Sequence, residues 1–77
     1  MPTDLTPVND IGQPHGYWEM YFSNGPLRCK GGYLNGVKHG MWEYYFMDGN
    51  LYYKGAFDIG KRIGYWIEYK QKLFYAN

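Results

Sequence analysis

The sequence predicts an all-β fold in which consecutive antiparallel hairpins join into one elongated, twisted sheet. Three observations carry this prediction. Residues 16–39 and 40–63 share 10 identities in 24 positions, a fixed period of the kind that marks a repeat architecture. Within each unit two aromatic-rich runs flank a turn signal, Asn24-Gly25 in the first and Asp48-Gly49 in the second. No segment places apolar residues at helical spacing between caps, so essentially no helix is expected.

Residues 1–15 contain Pro2, Pro7 and Pro14 among polar residues and read as an arm. Leu5, Val8 and Ile11 could lay part of it on the sheet as an edge strand. Asp10-Ile11-Gly12 recurs as Asp58-Ile59-Gly60, and His15-Gly16 as His39-Gly40, so the arm resembles the tail of a preceding unit. The repeat domain spans 16–77, as units 16–39 and 40–63 and a truncated copy, 64–77. Strands are expected over 17–22, 27–33, 41–47 and 50–57, with a shorter pair over 65–70 and 73–76. The links 34–40 and 58–64 are expected as connections.

If Asp48-Gly49 forms a two-residue type I′ turn, which needs positive φ at both positions, counting outward fixes the pairing. Phe46 then faces Leu51, Tyr44 faces Tyr53, Glu43 faces Lys54, and Trp42 faces Gly55. The same count from Asn24-Gly25 sets Glu19 against Lys30 and Trp18 against Gly31. Gly31 and Gly55 leave room for the facing indole to lie flat, which names Trp18, Gly31, Trp42, Gly55 and Trp66 as the structural core. Alternation along the strands sorts the side chains into two faces. One is nearly all apolar: Trp18, Met20, Phe22, Leu27, Cys29 and Tyr33, then Trp42, Tyr44, Phe46, Leu51, Tyr53, Phe57 and Trp66. The other mixes Tyr17, Tyr21, Arg28, Met41, Tyr45, Tyr52, Ile67 and Tyr69 with Glu19, Lys30, Glu43, Lys54 and Tyr65. Glu68 and Lys70 interrupt the apolar face in the last copy.

Composition bounds the function. Aromatic residues make up 22% of the chain and must supply most of its stability, since each contributes roughly 1.5–3 kcal/mol when buried. A net charge of +1 leaves no electrostatic footprint for nucleic acid, although tyrosines interleave with lysines. One cysteine, Cys29, excludes an internal disulfide and suits a reducing compartment. With no secretory leader or apolar span visible, the expected location is cytoplasmic, in a cell or an infected host cell.

The hairpin unit resembles the MORN repeat, in its bacterial and viral antitoxin-type variant. The pattern is G-x-W-x-x-Y, an Asn-Gly or Asp-Gly turn, then aromatic-x-Gly-x-aromatic, met by Tyr53-Lys54-Gly55-Ala56-Phe57. Cys29-Lys30-Gly31-Gly32-Tyr33 departs from it at Cys29, and Lys38-His39-Gly40 is similar to the basic step between units. The resemblance covers residues 10–77 and implies an extended sheet of hairpins. It implies scaffolding, dimerisation or lipid-surface roles rather than one activity. Choline-binding modules also string aromatic hairpins together, but their unit is shorter and they are secreted.

No enzyme and no cofactor is expected. His15 and His39 occupy equivalent positions, which the repeat itself explains better than a metal pair or a general base. One cysteine and scattered aspartates give no metal-ligand spacing. Ser23 beside a turn builds no nucleophile, and Glu19 and Glu43 each have a lysine opposite. Lys61, Arg62, Lys70 and Lys72 make only a modest basic cluster for a membrane surface. Protein recognition remains. A sheet without covering helices exposes faces and edges that invite partners, and two and a half units fall below the roughly three a solenoid needs. The chain is therefore expected to bind another protein or itself. The expected face is Tyr17, Tyr21, Arg28, Met41, Tyr45, Tyr52, Ile67 and Tyr69. A stand-alone array suggests an inhibitor or antitoxin-like role; the alternative is a membrane-lipid or scaffold module.

Overall fold

A computed structural model describes residues 3–69. Five strands, β1 (Gly16–Tyr21), β2 (Leu27–Leu34), β3 (Val37–Tyr45), β4 (Leu51–Asp58) and β5 (Lys61–Glu68), form one antiparallel sheet in sequence order. No helix occurs among the described residues. The strand expected over 73–76, with Lys70 and Lys72 of the basic cluster, lies outside them. The molecule measures 53 × 34 × 10 Å, the thickness of a single sheet. Consequently, among the described residues, only Trp42, at 1% exposure, and Cys29, at 7%, are buried apolar residues.

The inner register is the expected one: Trp42 pairs with Gly55, Glu43 with Lys54 and Tyr44 with Tyr53, as Trp18 does with Gly31 and Glu19 with Lys30. The turns that produce it are not. Gly25 and Gly49 have φ of 114° and 93°, but Asn24 and Asp48 do not share the positive φ of a type I′ turn. Instead Phe46 and Asn50 close a three-residue loop, with Phe46 N donating to Asn50 O and Gly49 N to Phe46 O. Phe22 and Pro26 do the same in the first hairpin. Asp48 favours this geometry because its carboxylate accepts the Asn50 N–H at 2.9 Å, a local bond two residues on. Phe46 therefore does not face Leu51; Tyr45 does. A bulge then inserts Tyr52, and in the first hairpin Arg28, which restores the count before the tryptophan is reached.

True two-residue type I′ geometry appears where connections were expected. Asn35-Gly36 (φ 45° and 97°) and Ile59-Gly60 (φ 47° and 83°) both turn with positive φ throughout. They join Leu34 to Val37 and Asp58 to Lys61, so β3 and β5 begin at once and the long links disappear.

The indoles also correct the expected packing. Trp42 is flanked in register by two glycines, Gly31 and Gly55. Its ring lies over Gly31, where an added Cβ would stand 2.1 Å from the indole, and Trp66 lies over Gly55. Trp42 Nε1 donates to the Gly32 carbonyl at 2.8 Å. Each ring thus reaches back to the preceding hairpin and fastens one unit to the next. Trp18 has only the arm behind it, and its Nε1 donates to the Pro7 carbonyl at 2.8 Å. The arm joins β1 through mutual backbone hydrogen bonds between Leu5 and Glu19, and folds back on itself in a bridge from Val8 to Pro14. Ile11, expected alongside, stands 77% exposed at a turn.

Candidate functional site

The two faces of the sheet differ in how far they close on themselves. On the indole face, rings touch in a continuous chain: Trp18 to Tyr33, Trp42, Tyr44, Tyr53 and Trp66, with centroid separations of 4.5–5.9 Å. Lys38 Nζ sits 4.7 Å from the Trp42 centroid and within 5.3 Å of the Phe57 ring, and donates to Tyr44 Oη at 2.6 Å. Arg62 lies 3.9 Å over Trp66. The stems of these cations cover aromatic surface while their charge meets the ring faces. Arg62 is thereby engaged on the protein's own aromatic surface. Lys38 and Arg62 were not singled out from the sequence for this role. Their 24-residue spacing, each four positions before a tryptophan, was the available signal.

The opposite face, which we term the tyrosine face, carries the exposed apolar groups. Tyr17 is 47% exposed, Met41 57%, Tyr65 98% and Ile67 45%. Tyr69, also expected here, is exposed as well. Tyr21 and Tyr45 are half-buried and held in place by carboxylates. Glu19 accepts from Tyr17 Oη at 2.7 Å and from Tyr21 Oη at 2.8 Å, and Glu43 accepts from Tyr45 Oη. These hydrogen bonds hold Glu19 and Glu43 below the usual carboxylate range. In return, lost hydration and then the bonded carboxylates push the Tyr17 and Tyr45 phenols up to about 12. Lys30 Nζ lies 3.5 Å from Glu43. The phenols are therefore fixed, neutral and amphipathic, suited to contact without much ordering cost.

Two residues expected on this face are elsewhere. The bulges that insert Arg28 and Tyr52 turn both toward the indole face. Arg28 Nη2 approaches Met20 Sδ at 3.8 Å, and Tyr52 packs on Phe46 and Tyr53 at 4.7 and 4.5 Å. Leu27 and Leu51, expected among the indoles, pair instead with Tyr21 and Tyr45 and so share the tyrosine face.

His15 and His39 act on the backbone. Nδ1 of each accepts an N–H from a type I′ turn, from Asn35 at 3.1 Å and Ile59 at 3.3 Å. Among the described residues no group of three or more His, Cys, Asp or Glu side chains is placed to hold a metal ion. Burial raises the Cys29 thiol above its ordinary value. No described helix is long and apolar enough to cross a membrane. No family model matches this chain, and none of the curated proteins or solved structures matches it either.

Proposed function

We propose that the chain is a non-catalytic protein-binding module that works through its tyrosine face. One observation carries this reading: among the described residues, four of the six large exposed apolar side chains of the strands, Tyr17, Met41, Tyr65 and Ile67, gather there, while the indole face is closed by its own rings and cations. Anchored phenols beside aliphatic side chains, with Glu43 paired to Lys30 within the sheet, have the composition of an interface core. The kinship with MORN arrays drawn from the 24-residue unit belongs to this proposal, as does residence in a reducing cytoplasm. A flat, rigid face of this size suits covering a partner's functional surface, as a small inhibitor or antitoxin-like protein would.

Replacing Met41 and Ile67 by Asp tests it, because both side chains are exposed and absent from the indole packing. Binding of the captured partner, or association of the chain with itself, should fall at least about 30-fold with circular dichroism unchanged. Undiminished binding would refute the assignment of this face. Flotation with anionic vesicles tests the lipid-surface alternative on the same samples.

A further inference from the structure

The tyrosine face is laid out in rows that run across the strands, and each row alternates. The central row reads Leu5, Glu19, Lys30, Glu43, Lys54, Ile67 from the arm to β5, every member paired in register with the next. Toward the hairpin loops, Tyr21 pairs with Leu27 and Tyr45 with Leu51. Toward the type I′ turns, Tyr17 pairs with Gly32 and Met41 with Ala56. Odd strands thus present acid and bulk, and even strands present base and small or aliphatic side chains.

This pattern is its own complement. We propose that the face docks on the same face of a second copy, about a two-fold axis parallel to the strands and passing between β2 and β3. The inference rests on the reading of this face as protein-binding and names its partner. Such an axis keeps position along the strand and reverses strand order, so β1 lies over β4 of the partner and β2 over its β3. Every Glu of the central row then meets a Lys: Glu19 over Lys54, and Glu43 over Lys30. At the ends of the row Leu5 meets Ile67, two aliphatic side chains exposed at 47% and 45%. Tyr21 and Tyr45 meet Leu51 and Leu27. Tyr17 meets the small side chain of Ala56, and Met41 meets Gly32, where the His39 carbonyl stands 2.7 Å from the place a Cβ would take.

Charge selects this arrangement over its alternatives. A two-fold axis in the sheet plane but across the strands would set each strand on its own counterpart, Glu on Glu and Lys on Lys. An axis parallel to the strands but running along β2 would set Glu19 on Glu43. Like charges brought together in a desolvated interface repel, and complementary ones fix the register. Isologous contact of this kind is the commonest route to a soluble dimer. A face within a 53 × 34 Å outline can supply the about 800 Å² per partner that a stable interface uses. Aligned packing of two such sheets, about 10 Å apart, builds the second layer that the single sheet lacks.

Sedimentation equilibrium of the full chain across a concentration series reads the mass directly, with twice 9.1 kDa expected. The register is tested by two charge-reversed proteins, one carrying Glu19→Lys and Glu43→Lys, the other Lys30→Glu and Lys54→Glu. Each alone should associate at least about 100-fold more weakly than the parent, and an equimolar mixture should recover a dimer. Near-ultraviolet circular dichroism of Trp42 on the far face reports folding of each. Should either fail to fold, Ala56→Arg, which fills the seat of Tyr17, must make the chain monomeric. A parent chain that stays monomeric throughout, or a dimer unchanged by these substitutions, overturns the proposal. If that monomer still loses a different protein on Met41→Asp and Ile67→Asp, the protein-binding reading survives its failure. If a dimer persists through those two replacements as well, both fall.

Discussion

At the residue scale, Ile59 occupies a conformation that its branched side chain resists. Its φ of 47° lies in the left-handed region, where β-carbon branching crowds the backbone, and its side chain is 57% exposed. Asn35 fills the same place in the preceding unit, with a side chain that tolerates such a turn. Ile59→Asn should therefore raise stability by about 1 kcal/mol, read as a higher chemical-denaturation midpoint at unchanged m-value. The phenols offer a second test at this scale. With Tyr17 and Tyr45 pushed up to about 12, two tyrosines should ionise well above the ordinary value near 10 in an absorbance titration. Because the folded values are raised, the stability they contribute is full below about 10 and is lost as pH climbs through about 12. Glu19 and Glu43 have the opposite sign: their contribution holds above the usual carboxylate range and disappears as pH falls below it.

At the scale of the element, the hairpin register survived a wrong turn. Taking Asp48-Gly49 as a two-residue loop places Trp42 on Gly55, and so does the real loop of three residues followed by a bulge at Tyr52. The extra residue in the loop and the extra residue in the strand cancel. What the cancellation hides is the stretch between them, where Tyr52, Arg28, Leu27 and Leu51 all change faces relative to strict alternation. Dipeptide preference also misled about type I′ turns, because Asp48 bonds its own neighbour and Ile59 is no turn former. Gly31 makes the element-scale prediction. Its backbone is ordinary, yet a Cβ there would overlap the Trp42 ring at 2.1 Å. Gly31→Ala should cost about 3 kcal/mol and shift Trp42 fluorescence to the red as the ring is displaced. The same change at Gly55 should act on Trp66 instead.

At the scale of the whole molecule, a sheet 10 Å thick with Trp42 and Cys29 as the buried apolar residues among those described has little interior to hold it together. Stability then depends on what covers the tyrosine face. If a second copy does, the thermal midpoint should rise with protein concentration, by mass action, and the slope should vanish in the Met41→Asp, Ile67→Asp protein. A midpoint independent of concentration over a hundredfold range would count against self-association. The sequence by itself determined the strand class, the 24-residue period and the inner register, since aromatic alternation, glycine placement and opposed charges are local and mutually consistent. Only the tertiary structure decided which neighbour each indole covers, because Trp42 has a glycine on both sides in register and pairing within one hairpin cannot choose between them. It also decided which face stays open. Ring stacking and the seats of Lys38 and Arg62 close one side through contacts between units, and strand alternation alone carries no term for that closure.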